Sequence, residues 1–436
     1  MILAGGRILD TDRQEELLDT LEDRINRTRE QGELSPQTVI EAADRLGTLI
    51  AEGAFDSFLE DWKLEGAEHY KNQIIQALDR KSLTYRWERE LGSGSWIPQR
   101  EQPPFENPTE IVTRVMPLGT LLHIAAGNVD GLPAFSVAEG LLTGNVNLLK
   151  LPQADHGLSI EILRRWIEIE PRLADYLYVF DTPSSDVVTL KRLADMADGI
   201  VVWGGEAAVS AVRRFAPTGA RLIEWGHKLG FVYLSGYTDK ERELTGLANH
   251  IQSTRQLLCS SCQTIFIDTE EEEEAAAFCR EFLPYLEASA RRYASQDLSV
   301  TAEVTLRRYS QELEKALSDE AVPTGRVFQG DGGSLTLLPD EELELSPMFG
   351  NCLVKRLPHR RLFQQLRRHK GCLQTAGLIC LPEKRAELTE LLARSGVVRI
   401  MHPGDMSAGF CGEAHDGEYP LRRYTRIVHT QILREP

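Results

Sequence analysis

At 436 residues, with 42% hydrophobic and 26% charged residues, the chain is too long for one ordinary core and has enough apolar content to bury two. A formal net charge of -17 argues against a nucleic-acid partner, which needs a clustered basic surface to displace counterions, and no apolar run approaches the ~20 residues of a membrane span. Seven cysteines at irregular positions, with no basic-then-apolar leader, point to free thiols in a reducing cytoplasm.

Residues 11 to about 90 carry apolar side chains at three and four spacing, as in "EELLDTLEDRINRT" and "VIEAADRLGTLIAEG", which predicts helices. A Gly-, Pro- and Ser-rich connector from Gly92 to Pro108 follows. From about 116 to 235, short apolar runs such as "TLLHIA", "NVNLLKL", "YLYVF" and "GIVVW" alternate with amphipathic stretches, the pattern of a doubly wound parallel α/β sheet. A second alternating region, about 236 to 400, holds "QTIFID", "GCLQTAGLICL" and "VVRIMHP" as strands. Glu270 to Glu274 read as a solvated helix start, and the basic residues around Leu362, Phe363 and Leu366 as a solvated helix face. The last stretch, "RRYTRIVHTQIL", alternates like a strand that needs a pairing partner. The expected boundaries are a helical region and linker at 1–108, a cofactor domain at 109–235, a catalytic domain at 236–408 and a strand extension at 409–436.

No G-x-G-x-x-G stands between a strand and a helix in the first α/β region, so the usual dinucleotide fingerprint is missing. The candidates left to hold a cofactor are Gly204 and Gly205, which join a strand to a helix N-terminus, and Lys150 at a strand end; an ordinary helix-start turn competes with that use. In "QLLCSSCQTIFID", Cys259 and Cys262 lie in a polar loop just before a strand. A core cysteine, a thiol pair and a nucleophile all fit that segment, whereas zinc lacks a second C-x-x-C or a nearby His pair, so no metal is expected.

Several spaced landmarks resemble the aldehyde dehydrogenase superfamily over about residues 110 to 430. Cys259 leads at the family's offset to the strand ending in Ile265, Phe266 and Ile267, which favours it over Cys262. Gly119, the strand to Ile124 and Asn128 in "IAAGNVDG" are similar to the segment whose asparagine amide helps form the oxyanion hole, and "TGNVNLLKLP" to the turn and cofactor lysine, here Asn145 and Lys150. Glu224, 35 residues before Cys259, matches the base of hydrolytic members. "SPMFGNCLVKRL" keeps the aromatic and glycine of a cofactor-contacting segment as Phe349 and Gly350, with Pro347 in place of the ribose-binding glutamate. Val209 replaces the second glycine of the phosphate turn, and Gln153 offers neither an acid for a ribose nor a base for a 2′-phosphate.

"AAGNVDGLPAFSVAEGLLTGNVNLLKLP", "LLCSSCQ" and "HDGEYPLRRYTRIV" most resemble one branch, the acyl-CoA reductases of the luminescence fatty-acid reductase type. That resemblance implies two doubly wound parallel-sheet domains with a β-strand oligomerisation extension, and a homo-oligomer. It also implies NADPH or NADH as cofactor, and an acyl-CoA or acyl-protein thioester reduced to an aldehyde through a thioester on Cys259. A hydrolytic aldehyde dehydrogenase, and a redox protein using Cys259 with Cys262, are the competing readings.

Overall fold

The computed structural model describes the chain apart from positions 33, 55, 57–66, 102–103, 105–109, 126–131, 154–156, 294–301, 303–305, 307–308, 311–324 and 433–436. The chain divides into two compact units, one of Met1–Gly226 with Phe410–Pro436 and one of His227–Gly409.

In the first unit a hairpin of β1 (Ile2–Ala4) and β2 (Arg7–Leu9) opens the chain, and Gly5 and Gly6 at its tip have φ of 55° and 71°, left-handed values that glycine reaches without a Cβ penalty. Helices Gln14–Glu30, Pro36–Ala51, Ala67–Leu78 and Arg80–Leu91 follow, as the periodicity predicts. In the first of them Leu17, Leu18, Leu21 and Ile25 face inward. After β3 (Gln99–Arg100) and β4 (Glu110–Pro117), five strands alternate with helices: β5 (Thr120–Ile124), β6 (Val146–Lys150), β7 (Leu177–Phe180), β8 (Gly199–Trp203) and β9 (Arg221–Trp225). They pair in parallel in the order β7-β6-β5-β8-β9, and β1 and β2 extend the β7 edge antiparallel.

The second unit repeats the architecture with β10 (Leu229–Ser235), β11 (Cys262–Ile267), β12 (Arg326–Gly330), β13 (Gly333–Leu338), β14 (Asn351–Arg356), β15 (Leu373–Cys380) and β16 (Arg399–Met401). Their order is β12-β13-β14-β11-β10-β15-β16, parallel except for β12 at one edge. Helices Glu272–Arg292 and His359–Arg368 carry the acidic and basic runs, as expected, and the second buries Leu362 and Leu366.

Two expectations change. The boundary expected after residue 235 lies at Gly226, because β10 is an interior strand of the second sheet, hydrogen-bonded to both β11 and β15. The strand extension is not a body of its own: Phe410–Pro436 joins the first unit, which also takes in the helical region that leads into the cofactor domain. There β17 (Thr425–Ile432) lies antiparallel along β4 in register from Thr425 with Pro117 to Ile432 with Glu110, so one edge of this strand finds its partner within the chain.

Buried amides tie that return to the first sheet. Asn145 accepts from the Gly119 N–H at 2.9 Å through Oδ1 and donates to the Tyr424 carbonyl at 3.0 Å. His123, fully buried on β5, donates from Nε2 to Asn147 Oδ1 at 3.0 Å. The amide's orientation is set because Asn147 Nδ2 donates to the Asn145 carbonyl at 2.7 Å.

Candidate functional site

The loop carrying Cys259 begins where helix Lys240–Thr254 ends. Arg255 and Gln256 take φ of 49° and 62°, left-handed values that cost energy for residues with a Cβ and turn the chain toward β11. Hydrogen bonds offset that strain. The buried Gln256 side chain donates to the Cys262 carbonyl at 2.8 Å and to Ser346 Oγ at 3.0 Å, and accepts from the Gly350 N–H at 3.0 Å. Gln263 donates to the Gln256 carbonyl at 2.8 Å and accepts from Ser346 Oγ at 2.8 Å.

The Ser346 to Gly350 turn is strained in the same way, with Met348 and Phe349 at φ of 68° and 52°. The Phe349 N–H donates to the Arg255 carbonyl at 3.0 Å, so the predicted cofactor residue Phe349 and the Cys259 loop are joined through their backbones. Gly230 on β10 packs under the loop, where a Cβ would lie 2.4 Å from the Ser261 carbonyl oxygen and 2.7 Å from that of Ser260.

Cys259 itself is exposed, in the turn just before β11, and its Sγ accepts a hydrogen bond from Gln374 Nε2 at 3.2 Å. Cys262 is different in kind: it is fully buried as the first residue of β11, and burial pushes its thiol well above the usual cysteine range. Gln374, on β15, and the Gln256, Gln263 and Ser346 network were not foreseen. A buried amide within a mostly apolar strand was the signal available.

The other predicted residues lie on the first unit, except Asn128, which is outside the described residues. Lys150 ends β6, almost fully buried, with Nζ donating to Ser184 Oγ at 2.9 Å; burial lowers its pKa against the opposing pull of Asp181. Gln153 is exposed three residues on. Gly204 and Gly205 follow β8, and Gly205 is the N-cap of helix Glu206–Phe215, with no side chain capping its N–H groups. A Cβ at Gly205 would meet nothing within 4 Å. An ammonium, an uncapped helix N-terminus and open space at the carboxyl ends of parallel strands are a donor set that fits an anionic dinucleotide. Glu224 on β9 is held by Arg213, whose Nε and Nη2 each donate to a carboxylate oxygen at 2.6 Å. Among the described residues no group of three metal-ligating side chains occurs, and no helix is long and apolar enough to cross a membrane.

Protonation of buried histidine gives a pH prediction. His250 Nε2 accepts from the Cys262 N–H at 3.3 Å, and burial, then the nearby Arg399 charge, lowers its pKa from 6.5 to about 4. Burial alone does the same for His123, against its bond to Asn147. The unfolded chain therefore binds more protons between those two values, and stability present above 6.5 is lost as pH falls through 4. Urea unfolding at about pH 5 should show each histidine costing about 2 kcal/mol relative to neutral pH. His250→Gln, which keeps an acceptor, should flatten the dependence for the second unit; an unchanged slope would refute the assignment.

The model of the acyl-CoA reductase (LuxC) family matches residues 34–427. A long-chain acyl-protein thioester reductase of Vibrio harveyi is 25% identical over 369 residues, which cover 82% of this chain and 72% of the relative. Among solved structures, the methylmalonate-semialdehyde dehydrogenase of Oceanimonas doudoroffii superposes with a TM-score of 0.74 at 11% identity, covering 100% of this chain and 98% of that one. The glyceraldehyde-3-phosphate dehydrogenase of Methanocaldococcus jannaschii, complexed with NADP, gives 0.70 at 11% identity, covering 98% and 95%. The two-sheet architecture is thus the aldehyde dehydrogenase fold, and the chain belongs to the acyl-CoA reductase (LuxC) family.

Proposed function

We propose that this oxidoreductase reduces acyl thioesters, on CoA or on a protein, to aldehydes, with Cys259 carrying the acyl group. The observation that carries the assignment is an exposed thiol on a strained, heavily hydrogen-bonded loop, its sulfur held by an amide donor, in a chain of the acyl-CoA reductase family.

Cysteine suits the chemistry because a thiolate is strongly nucleophilic near neutral pH and exchanges one thioester for another at little net cost. The Cys259 sulfur attacks the acyl carbon, a C–S bond forms, and the carbonyl π pair moves to oxygen. The resemblance assigns the oxyanion to the Asn128 amide and the Cys259 backbone N–H; donors of that kind are each worth ~10² to 10³ in rate. Collapse expels the CoA or protein thiol, which leaves with the old C–S pair and takes a proton. Lys150 and the helix start at Gly204 and Gly205 would hold NADPH or NADH, with Phe349 and Gln153 assigned to the same cofactor by resemblance; when bound, it supplies the hydride equivalent. Cys259 then releases the aldehyde by taking back the C–S electron pair as thiolate.

Because reduction needs no activated water, the commitment of Glu224 to Arg213 supports thioester reduction over aldehyde hydrolysis. A buried strand thiol at Cys262 likewise disfavours a redox pair with Cys259. We place the protein in the cytoplasm, and the outer edge of β17, which pairs with no strand but β4 among the described residues, supports a homo-oligomer.

The test is a panel of acyl-CoAs of increasing chain length with NADPH and with NADH, trapping the aldehyde. Aldehyde formed in step with cofactor oxidation is the expected result. Free acid released without cofactor would make the protein a thioesterase instead.

A further inference from the structure

The donor to the Cys259 sulfur is the last member of a longer chain of groups. β16 pairs in parallel with β15 so that Arg399 lies opposite Thr375. Arg399 Nη1 donates to Thr375 Oγ1 at 3.2 Å, Thr375 Oγ1 to Gln374 Oε1 at 3.3 Å, and Gln374 Nε2 to Cys259 Sγ at 3.2 Å. Thr375 and Gln374 are both buried, and the Gln374 backbone is pinned where its carbonyl accepts from the Val398 N–H at 3.1 Å. Arg399 is itself anchored to the Met406 and Ala408 carbonyls at 2.8 and 2.7 Å.

A guanidinium has only donors, so Thr375 Oγ1 must accept from Arg399 and turn its own proton elsewhere. Gln374 Oε1 is the acceptor that receives it. This fixes the amide, whose two ends could otherwise exchange, with its N–H groups toward the sulfur. A fixed positive charge thereby sets the direction of every hydrogen bond in the series, and each bond polarises the next.

We propose that Arg399, Thr375 and Gln374 form a directed donor relay that stabilises the Cys259 sulfur as an anion and so sets its reactivity. The relay serves acyl transfer on the reading that Cys259 is the nucleophile, but its effect on the sulfur can be read without any acyl substrate. Gln374 and Thr375 are then positioning residues for the nucleophile, outside the family landmarks that led to Cys259.

The experiment is alkylation by iodoacetamide, in which the thiolate forms an S–C bond and iodide leaves. The rate is followed from pH 6 to 10 by peptide mass at Cys259 and, as an internal reference, at the exposed Cys411. Gln374→Met, similar in shape but without a donor, should slow Cys259 about tenfold at pH 7 and move its profile to higher pH, because hydrogen bonds to charged groups are among the strong ones. Thr375→Val should slow it about threefold, and Thr375→Ser should restore the native rate within about twofold. Cys411 should be unaffected throughout. Unchanged Cys259 rates in both the Met and Val variants overturn the relay, as does a slowing matched at Cys411 or left unrescued by serine. If alkylation depends on Gln374 while the acyl group maps to another residue, the relay stands and the nucleophile assignment falls.

Discussion

Cys259→Ala should abolish acyl transfer, lowering turnover by roughly 10⁴ or more, since the variant has no atom on which to build the covalent intermediate. Mixing the native protein with acyl-CoA and no cofactor should release about one CoA per site and leave one acyl group. Intact mass and peptide mapping should place it on Cys259. The same adduct should form in Cys262→Ala, because the Cys262 thiol is sealed in β11 and burial holds it protonated. An adduct on Cys262, or activity surviving in Cys259→Ala, would mean the wrong sulfur was chosen and would revive a role for the pair.

Gly230→Ala should be strongly damaging although it removes no chemical group. Its new methyl would overlap the Ser261 carbonyl oxygen at 2.4 Å and the Ser260 carbonyl carbon at 2.8 Å. These are backbone atoms, unable to swing aside as a side-chain tip can. β10 already shifts register at Gly230 against both β11 and β15, so relief comes from pushing the Cys259 loop outward. A misplacement near 1 Å costs about 10² in rate when geometry provides the advantage. Single-turnover acylation should fall by about that factor while circular dichroism still reports a folded sheet. A native acylation rate in Gly230→Ala would show that the loop's position is not what the strand beneath it controls.

The sequence was most informative where side-chain period and local turns decide structure. The run from Thr120 to Trp225 reads as alternating strands and helices, and these five strands pair in parallel as that pattern implies. Cys259 lies in a turn ahead of a strand, as its neighbours suggested. Pairing partners distant in sequence were hidden. β1 and β2 are three residues each, too short for a period to register, and "LGFVYLS" is a strand in any reading without saying which sheet takes it. The strand Thr425–Ile432 advertised an unmet edge, but nothing local named β4 as its neighbour. The site was legible in part for the same reason. A cysteine before a strand can be matched to a family pattern, whereas the value of Gln374, Thr375 and Arg399 appears only once β15 and β16 lie side by side. Glu224 matched a motif, and only the fold shows Arg213 occupying its carboxylate.

The placement of Phe410–Pro436 in the first unit bears on how the polypeptide assembles during translation. A ribosome emits residues 1–226 well before Tyr424, whose ring is fully buried in that unit and whose carbonyl accepts from Asn145 and from the Leu118 N–H. The segment His227–Gly409 is contiguous and emerges whole in between. The earlier-made unit must therefore wait, with Asn145 and the start of β5 uncapped, while the later-made one has everything it needs to close first. Order of synthesis and order of completion are reversed.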